Sequence, residues 1–189
     1  MRRTSFSDMS CSIARSLEQI GEWWTLLIIR EAFFGTRRFG AFQVNLGIAP
    51  NVLTQRLQDL VAHGILEVTA SSENGRALDY GLTDKGRDLF PIIVALAQWG
   101  DRHAAAPEGP PVRIVERRNG EDIAAITLRS SGNGRALGLH EVTVAPGPGA
   151  TPQQRAYFER LRQRQAEKAA SREAVPPPPD RQDRADRKG

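Results

Sequence analysis

Apolar residues recur at helical intervals along the first hundred positions of the chain and then thin out. In SIARSLEQIG, Ile13, Leu17 and Ile20 fall at i, i+4 and i+7, and Gly21 closes the run, which predicts a short amphipathic helix. WWTLLIIREAFFG follows, apolar on most sides and stopped by Gly35, the pattern of a helix at the buried centre of a domain. FGAFQVNL places Phe39, Phe42 and Leu46 on one face and breaks at Gly47-Ile48-Ala49. PNVLTQRLQDLVAHG is the fourth helix, with Pro50 suited to a first turn and Gly64 to a stop. Its stripe is Leu53, Leu57, Leu60 and Val61; Asn51, Gln55 and Gln58 lie opposite, with Thr54 and Arg56 on the flanks.

The period then changes. ILEVTAS alternates like a half-buried strand, Glu73-Asn74-Gly75 makes a tight turn, and RALDYGLT returns, which predicts a β-hairpin with Arg76 near its tip. Thr83 can cap a helix running from Asp84 to about His103, kinked at Pro91. Its stretch LFPIIVALAQW is too apolar for a helix with one wet face, so this helix and the first are expected to form a dimer interface.

From 105 to 111 the chain reads as a linker, most of it APEGPP. Residues 112–150 predict a small β-rich extension, with one hairpin around Asn119-Gly120 and a further strand in HEVTVAPGPGA. Residues 151–174 predict a very polar helix, and VPPPPDRQDRADRKG at 175–189 has the composition of a disordered tail.

Three helices, a sharp turn into a leucine-striped fourth, and a two-stranded hairpin define the order of a winged helix-turn-helix, a mainly α fold with a β-hairpin wing. The major groove of B-DNA is about 12 Å wide and admits one helix, whose first turns meet base edges. Short side chains that both donate and accept suit that position, and Asn51, Thr54, Gln55 and Gln58 supply them. Arg37, Arg38 and Arg56 are expected to anchor on phosphates, and Arg76 to lie along the adjacent minor groove or backbone. An ordinary solvated face is the competing reading of each of these side chains on spacing alone.

Charge qualifies this picture. The net charge is +4, yet residues 1–103 hold 11 Lys/Arg and 11 Asp/Glu, so the whole excess falls in the C-terminal part. Electrostatic help for DNA binding must therefore come from a few placed arginines. The one cysteine, Cys11, excludes a disulfide framework, and His63, His103 and His140 lack ligand spacing, so no metal or other cofactor is expected. No apolar run of about 18 residues exists and MRRTSFSDMS is not a secretory signal, so a cytoplasmic protein without membrane contact is expected. There is no catalytic set, neither paired carboxylates nor a nucleophile with a histidine.

The runs CSIARSLEQIGEWWTLLIIREAFFGTRRFGAFQ, IAPNVLTQRLQDLVAHGILE and YGLTDKGRDLFPIIVALAQWGD also resemble, in unbroken order over residues 8–103, the HxlR-type regulators related to the MarR class. The resemblance implies a dimeric bacterial regulator that binds operator DNA, with helices from both ends of an 8–104 domain forming the dimer. In several such regulators the cysteine matching Cys11 senses oxidants or electrophiles. Here it falls at a helix N-terminus with Arg15 one turn on, which favours thiolate, although a free cysteine is also commonly just a small side chain. Trp23, Trp24 and Phe34 are either core or the lining of an effector pocket. SSENGRALDY is shorter and less charged than the wings typical of the family, and the extension lacks the cysteine pairs some longer members carry. The expectation is a homodimeric regulator on a pseudo-palindromic operator, acting as a repressor and responsive to a thiol reagent or small ligand. The alternative is a winged-helix protein-interaction module without sequence-specific DNA binding.

Overall fold

The computed structural model describes residues 5–70 and 78–173, with side chains up to residue 167. Helices α1 (Ser12–Ile20), α2 (Trp23–Phe33), α3 (Phe39–Leu46) and α4 (Pro50–Ala62) precede strands β1 (Leu66–Ala70) and β2 (Leu78–Leu82). Helices α5 (Asp84–Arg87) and α6 (Phe90–His103) follow. The core is the one the leucine stripe implies. Leu53, Leu57 and Leu60 of α4 are buried against Ile28 and Ile29 of α2, Phe42 of α3, Ile48, Ile65 and Leu66. Eight side chains of this set are essentially inaccessible; each contributes about 1.5–3 kcal/mol through removal from water.

Two glycines make the turns on either side of α4. Gly47 adopts φ +62° and ends α3, so that Ile48 can drop into the core before α4 begins. Gly64 adopts φ +65° after α4; its N–H donates to the Val61 carbonyl and that of Ile65 to the Leu60 carbonyl, the reciprocal pattern of a left-handed helix stop. Strands β1 and β2 pair antiparallel from Leu66 opposite Leu82 to Ala70 opposite Leu78. The Glu73-Asn74-Gly75 turn and Arg76 lie outside the described residues.

The structure departs from the expected pattern in several places. The helix expected from Asp84 to His103 is two helices. Pro91 has no N–H to reach back to Arg87, so the chain turns at Asp88-Leu89 and Pro91 sits in the first turn of α6. The stripe of α1 is split: Ile20 is buried, but Ile13 and Leu17 face outward. Helix α2 is buried along Thr25, Ile28, Ile29 and Glu31, while Trp23 is 89% exposed and Phe34 also lies at the surface under the Arg30 guanidinium. Of the three aromatics only Trp24 packs against the core.

The compact unit also runs past the expected linker to Arg129. Gln98 of α6 explains why: its Nε2 donates to the Ala124 carbonyl, and its Oε1 accepts the Ile126 N–H. A hairpin around Asn119-Gly120 forms there, closed by Val115 opposite Asp122 and by the Arg113–Asp122 ion pair at 2.8 Å. That pairing raises the Arg113 pKa and lowers that of Asp122.

Residues from Ser130 onward form a second unit. Regular strand between 112 and 150 is confined to β3 (Leu128–Arg129) and β4 (Ala136–Leu137). The strand expected in HEVTVAPGPGA is absent; Leu139–Glu141 is a 3₁₀ turn instead. Glu141 makes that turn locally, accepting the Gly138 N–H and pairing with Arg135, and both interactions lower its pKa. Helix α7 (Pro152–Glu173) opens on a reciprocal cap, in which Thr151 and Gln154 each accept the other's backbone N–H. Its described side chains are largely exposed.

Candidate nucleic-acid interface

The burial of Leu53, Leu57 and Leu60 fixes which side of α4 faces out. Asn51, Thr54, Gln55 and Gln58 are all exposed, on the side away from the core. Thr54 donates its hydroxyl to the Pro50 carbonyl within the helix, and Gln55 Nε2 donates to Asp59 Oδ1 at 2.9 Å. Helix α3 exposes Gly40, Ala41 and Val44. Small side chains there let a helix lie close to a phosphate backbone.

The arginines divide. Arg37 is exposed and pairs with no acid among the described residues. Arg38 is tied down: its Nε meets Asp79 Oδ1 of β2, and the Arg37 carbonyl accepts the Tyr80 N–H. This short backbone pairing adds residues 37–38 to the wing as a third, bridge-like strand. Arg56 is turned inward, its side chain 20% exposed, with Nη1 at 3.3 Å from Asp59 and 3.9 Å from Glu22. Arg38 and Arg56 were both expected to be phosphate anchors. Each has an acidic partner within the domain. Arg76 lies outside the described residues.

One polar cluster that supports the site carries no periodic signal in the sequence. Glu31, at the end of α2, is buried and accepts hydrogen bonds from Asn45 of α3, from Thr36 and from Arg30. Burial raises its pKa, but the hydrogen bonds from Asn45, Arg30 and Thr36 and the charge of Arg30 outweigh that, so the carboxyl lies below its ordinary value. The cluster locks the loop that delivers Arg37 and Arg38 to the start of α3. Lys85 makes a comparable tie, donating to the His63 carbonyl and to Gln19.

Cys11 is exposed at the N-cap of α1. Among the described residues no group of three or more His, Cys, Asp or Glu could hold a metal ion, and no helix is long and apolar enough to cross a membrane.

A helix held by buried leucines, entered through a tight turn from a preceding helix and followed by a hairpin, defines a winged helix-turn-helix DNA-binding protein. Residues 19–108 match the model of the HxlR-like helix-turn-helix family. An uncharacterised HTH-type transcriptional regulator of Mycobacterium bovis is 46% identical over 138 residues, 73% of this chain and 87% of that protein. A further HTH-type regulator, from Synechocystis, is 33% identical over 91 residues, 48% of this chain and 67% of the relative. The crystal structure of PA1607, described as a candidate transcription factor, superposes with a TM-score of 0.71 at 42% identity, covering 76% of this chain and all of the other. The chain belongs to the HxlR-like family and is a DNA-binding transcriptional regulator; the family is one of regulators, not an enzyme class.

Proposed function

We propose that the protein is a homodimer that binds a pseudo-palindromic operator in a sequence-specific way and represses transcription by occupying it. The observation that carries this reading is the two-sidedness of α4: three leucines buried, four short polar side chains exposed opposite them. Asn51, Thr54, Gln55 and Gln58 would read base edges, and Arg37 would anchor on phosphate. Two copies of α4 would enter successive major grooves about 34–36 Å apart. Dimerisation is supported by the apolar side chains that α1 and α6 leave uncovered, Ile13 and Leu17 on one, Ile92, Leu96 and Trp99 on the other. Its site of action would be the bacterial cytoplasm, where the genome lies. Cys11, exposed at the start of α1, is the point where an oxidant or electrophile would act.

The test is binding to the protein's own promoter DNA against random duplex. Preference for the promoter, diminished in Gln55→Ala, is expected; equal binding of both by the wild type would refute sequence-specific recognition. The second reading, a winged-helix module that docks on protein, is favoured by the acidic partners of Arg38 and Arg56. It requires that no DNA sequence be preferred.

A further inference from the structure

We propose that Asp59 sets one base preference of the operator by holding the Gln55 amide in a single orientation. This rests on the reading above, in which Gln55 faces a base edge.

Four polar side chains run in series from the α1–α2 turn to the exposed face of α4. Glu22 Oε2 lies 3.9 Å from Arg56 Nη1, which lies 3.3 Å from Asp59 Oδ2; Asp59 Oδ1 accepts from Gln55 Nε2 at 2.9 Å. The partners in this series leave one arrangement of donors and acceptors. Arg56 carries donors only and is mostly buried, so it fixes one oxygen of the Asp59 carboxylate. An ionised carboxylate has no proton to give, so the atom that faces it from Gln55 must be the amide nitrogen. Turning that amide by half a rotation would set its oxygen against the carboxylate and lose a charge-assisted hydrogen bond. Gln55 Oε1 has no partner among the described residues and is left to accept, beside the second N–H of the same amide.

In the major groove an outward acceptor needs an amino group. Adenine offers N6 and cytosine N4; guanine and thymine present O6 or O4, which would meet Oε1 as acceptor against acceptor. Adenine fits best, because its N7 can take the second N–H in a bidentate pair. Asp59 is thus a positioning residue that acts through Gln55 without touching the base.

The experiment is selection of bound sequences from a random duplex pool by the wild-type protein, Gln55→Ala, Asp59→Ala and Asp59→Asn, with thermal melting of each to confirm folding. The wild type should favour adenine or cytosine over guanine or thymine at one position per half-site by about tenfold. Asp59→Ala should lose most of that preference at that position alone. Asp59→Asn should move it toward guanine or thymine: the donor-only Arg56 takes the amide oxygen at position 59, the NH2 there faces Gln55, and the Gln55 amide turns round. A uniform loss of affinity in the Asp59 variants, with base preferences unchanged, would overturn the proposal while leaving Gln55 as a reader if Gln55→Ala alters the profile. An unaltered profile in Gln55→Ala would overturn both the proposal and the role of Gln55.

Discussion

Arg38, at the start of α3, is ion-paired with Asp79 of the second wing strand. The pair joins the first helix of the helix-turn-helix to the hairpin, and the adjacent Arg37–Tyr80 backbone hydrogen bond reinforces the joint. It also spends on an internal partner a charge that a basic wing would offer to DNA.

The salt dependence of DNA binding should separate the two neighbouring arginines. With Arg37 in its proposed role of phosphate anchor, Arg37→Ala should flatten the slope of log affinity against log salt by about one unit. Arg38→Ala should change the slope much less. Asp79→Asn should steepen it by up to about one unit by releasing Arg38 to phosphate. Fluorescence anisotropy over a salt series measures all three.

Gly86→Ala should destabilise the domain severely. A Cβ at Gly86 would lie 2.2 Å from the Ile65 carbonyl oxygen and 3.0 Å from Leu82 Cδ2. The first contact is with backbone at the end of the α4–β1 turn, which cannot yield without moving the wing. A loss of about 3 kcal/mol is expected by chemical denaturation.

Glu31 should make stability fall in acid. Its carboxyl has a lowered pKa in the folded state, so the stabilisation is complete above the unfolded value near 4.5 and is lost as pH falls through the lower folded value. Glu31→Gln should cost about 1–3 kcal/mol at neutral pH, since it weakens the hydrogen bonds from Arg30, Thr36 and Asn45. The gap between variant and wild type should narrow as pH falls below about 4.5 and close once it passes below the lower folded value, as read by urea melts across pH.

Placing a charge on the uncovered face of α1 or α6 should break the proposed dimer. Ile13→Glu or Leu96→Lys should sediment as a monomer. Each should bind a full palindrome about a hundredfold more weakly than the wild type and a single half-site about equally.

Periodicity revealed most of this fold because the core is made by helices whose buried stripes are regular. Leu53, Leu57 and Leu60 could be placed inside, and Asn51, Thr54, Gln55 and Gln58 outside, from spacing alone. What spacing cannot express is the partner of each polar group. Glu31 meets Asn45 across 14 positions and Arg38 meets Asp79 across the wing; neither pairing has a local signature. Ile13, Leu17 and Trp23 show a related limit: a hydrophobic stripe reports that a face avoids water, and does not say whether the same chain covers it. The proline at 91 was a legible obstacle, but whether it bends a helix or starts a new one depends on whether a free turn precedes it, here Asp88-Leu89.

The amide of Gln98 offers the backbone at Ala124 and Ile126 one donor and one acceptor, as a peptide group in a neighbouring strand would. Helix α6 therefore acts as the sheet edge against which residues 124–126 are laid out. A chain shortened at the composition change near residue 104 would leave that surrogate peptide group facing water and remove the segment shaped on it. The first unit ends at Arg129, well beyond that composition change.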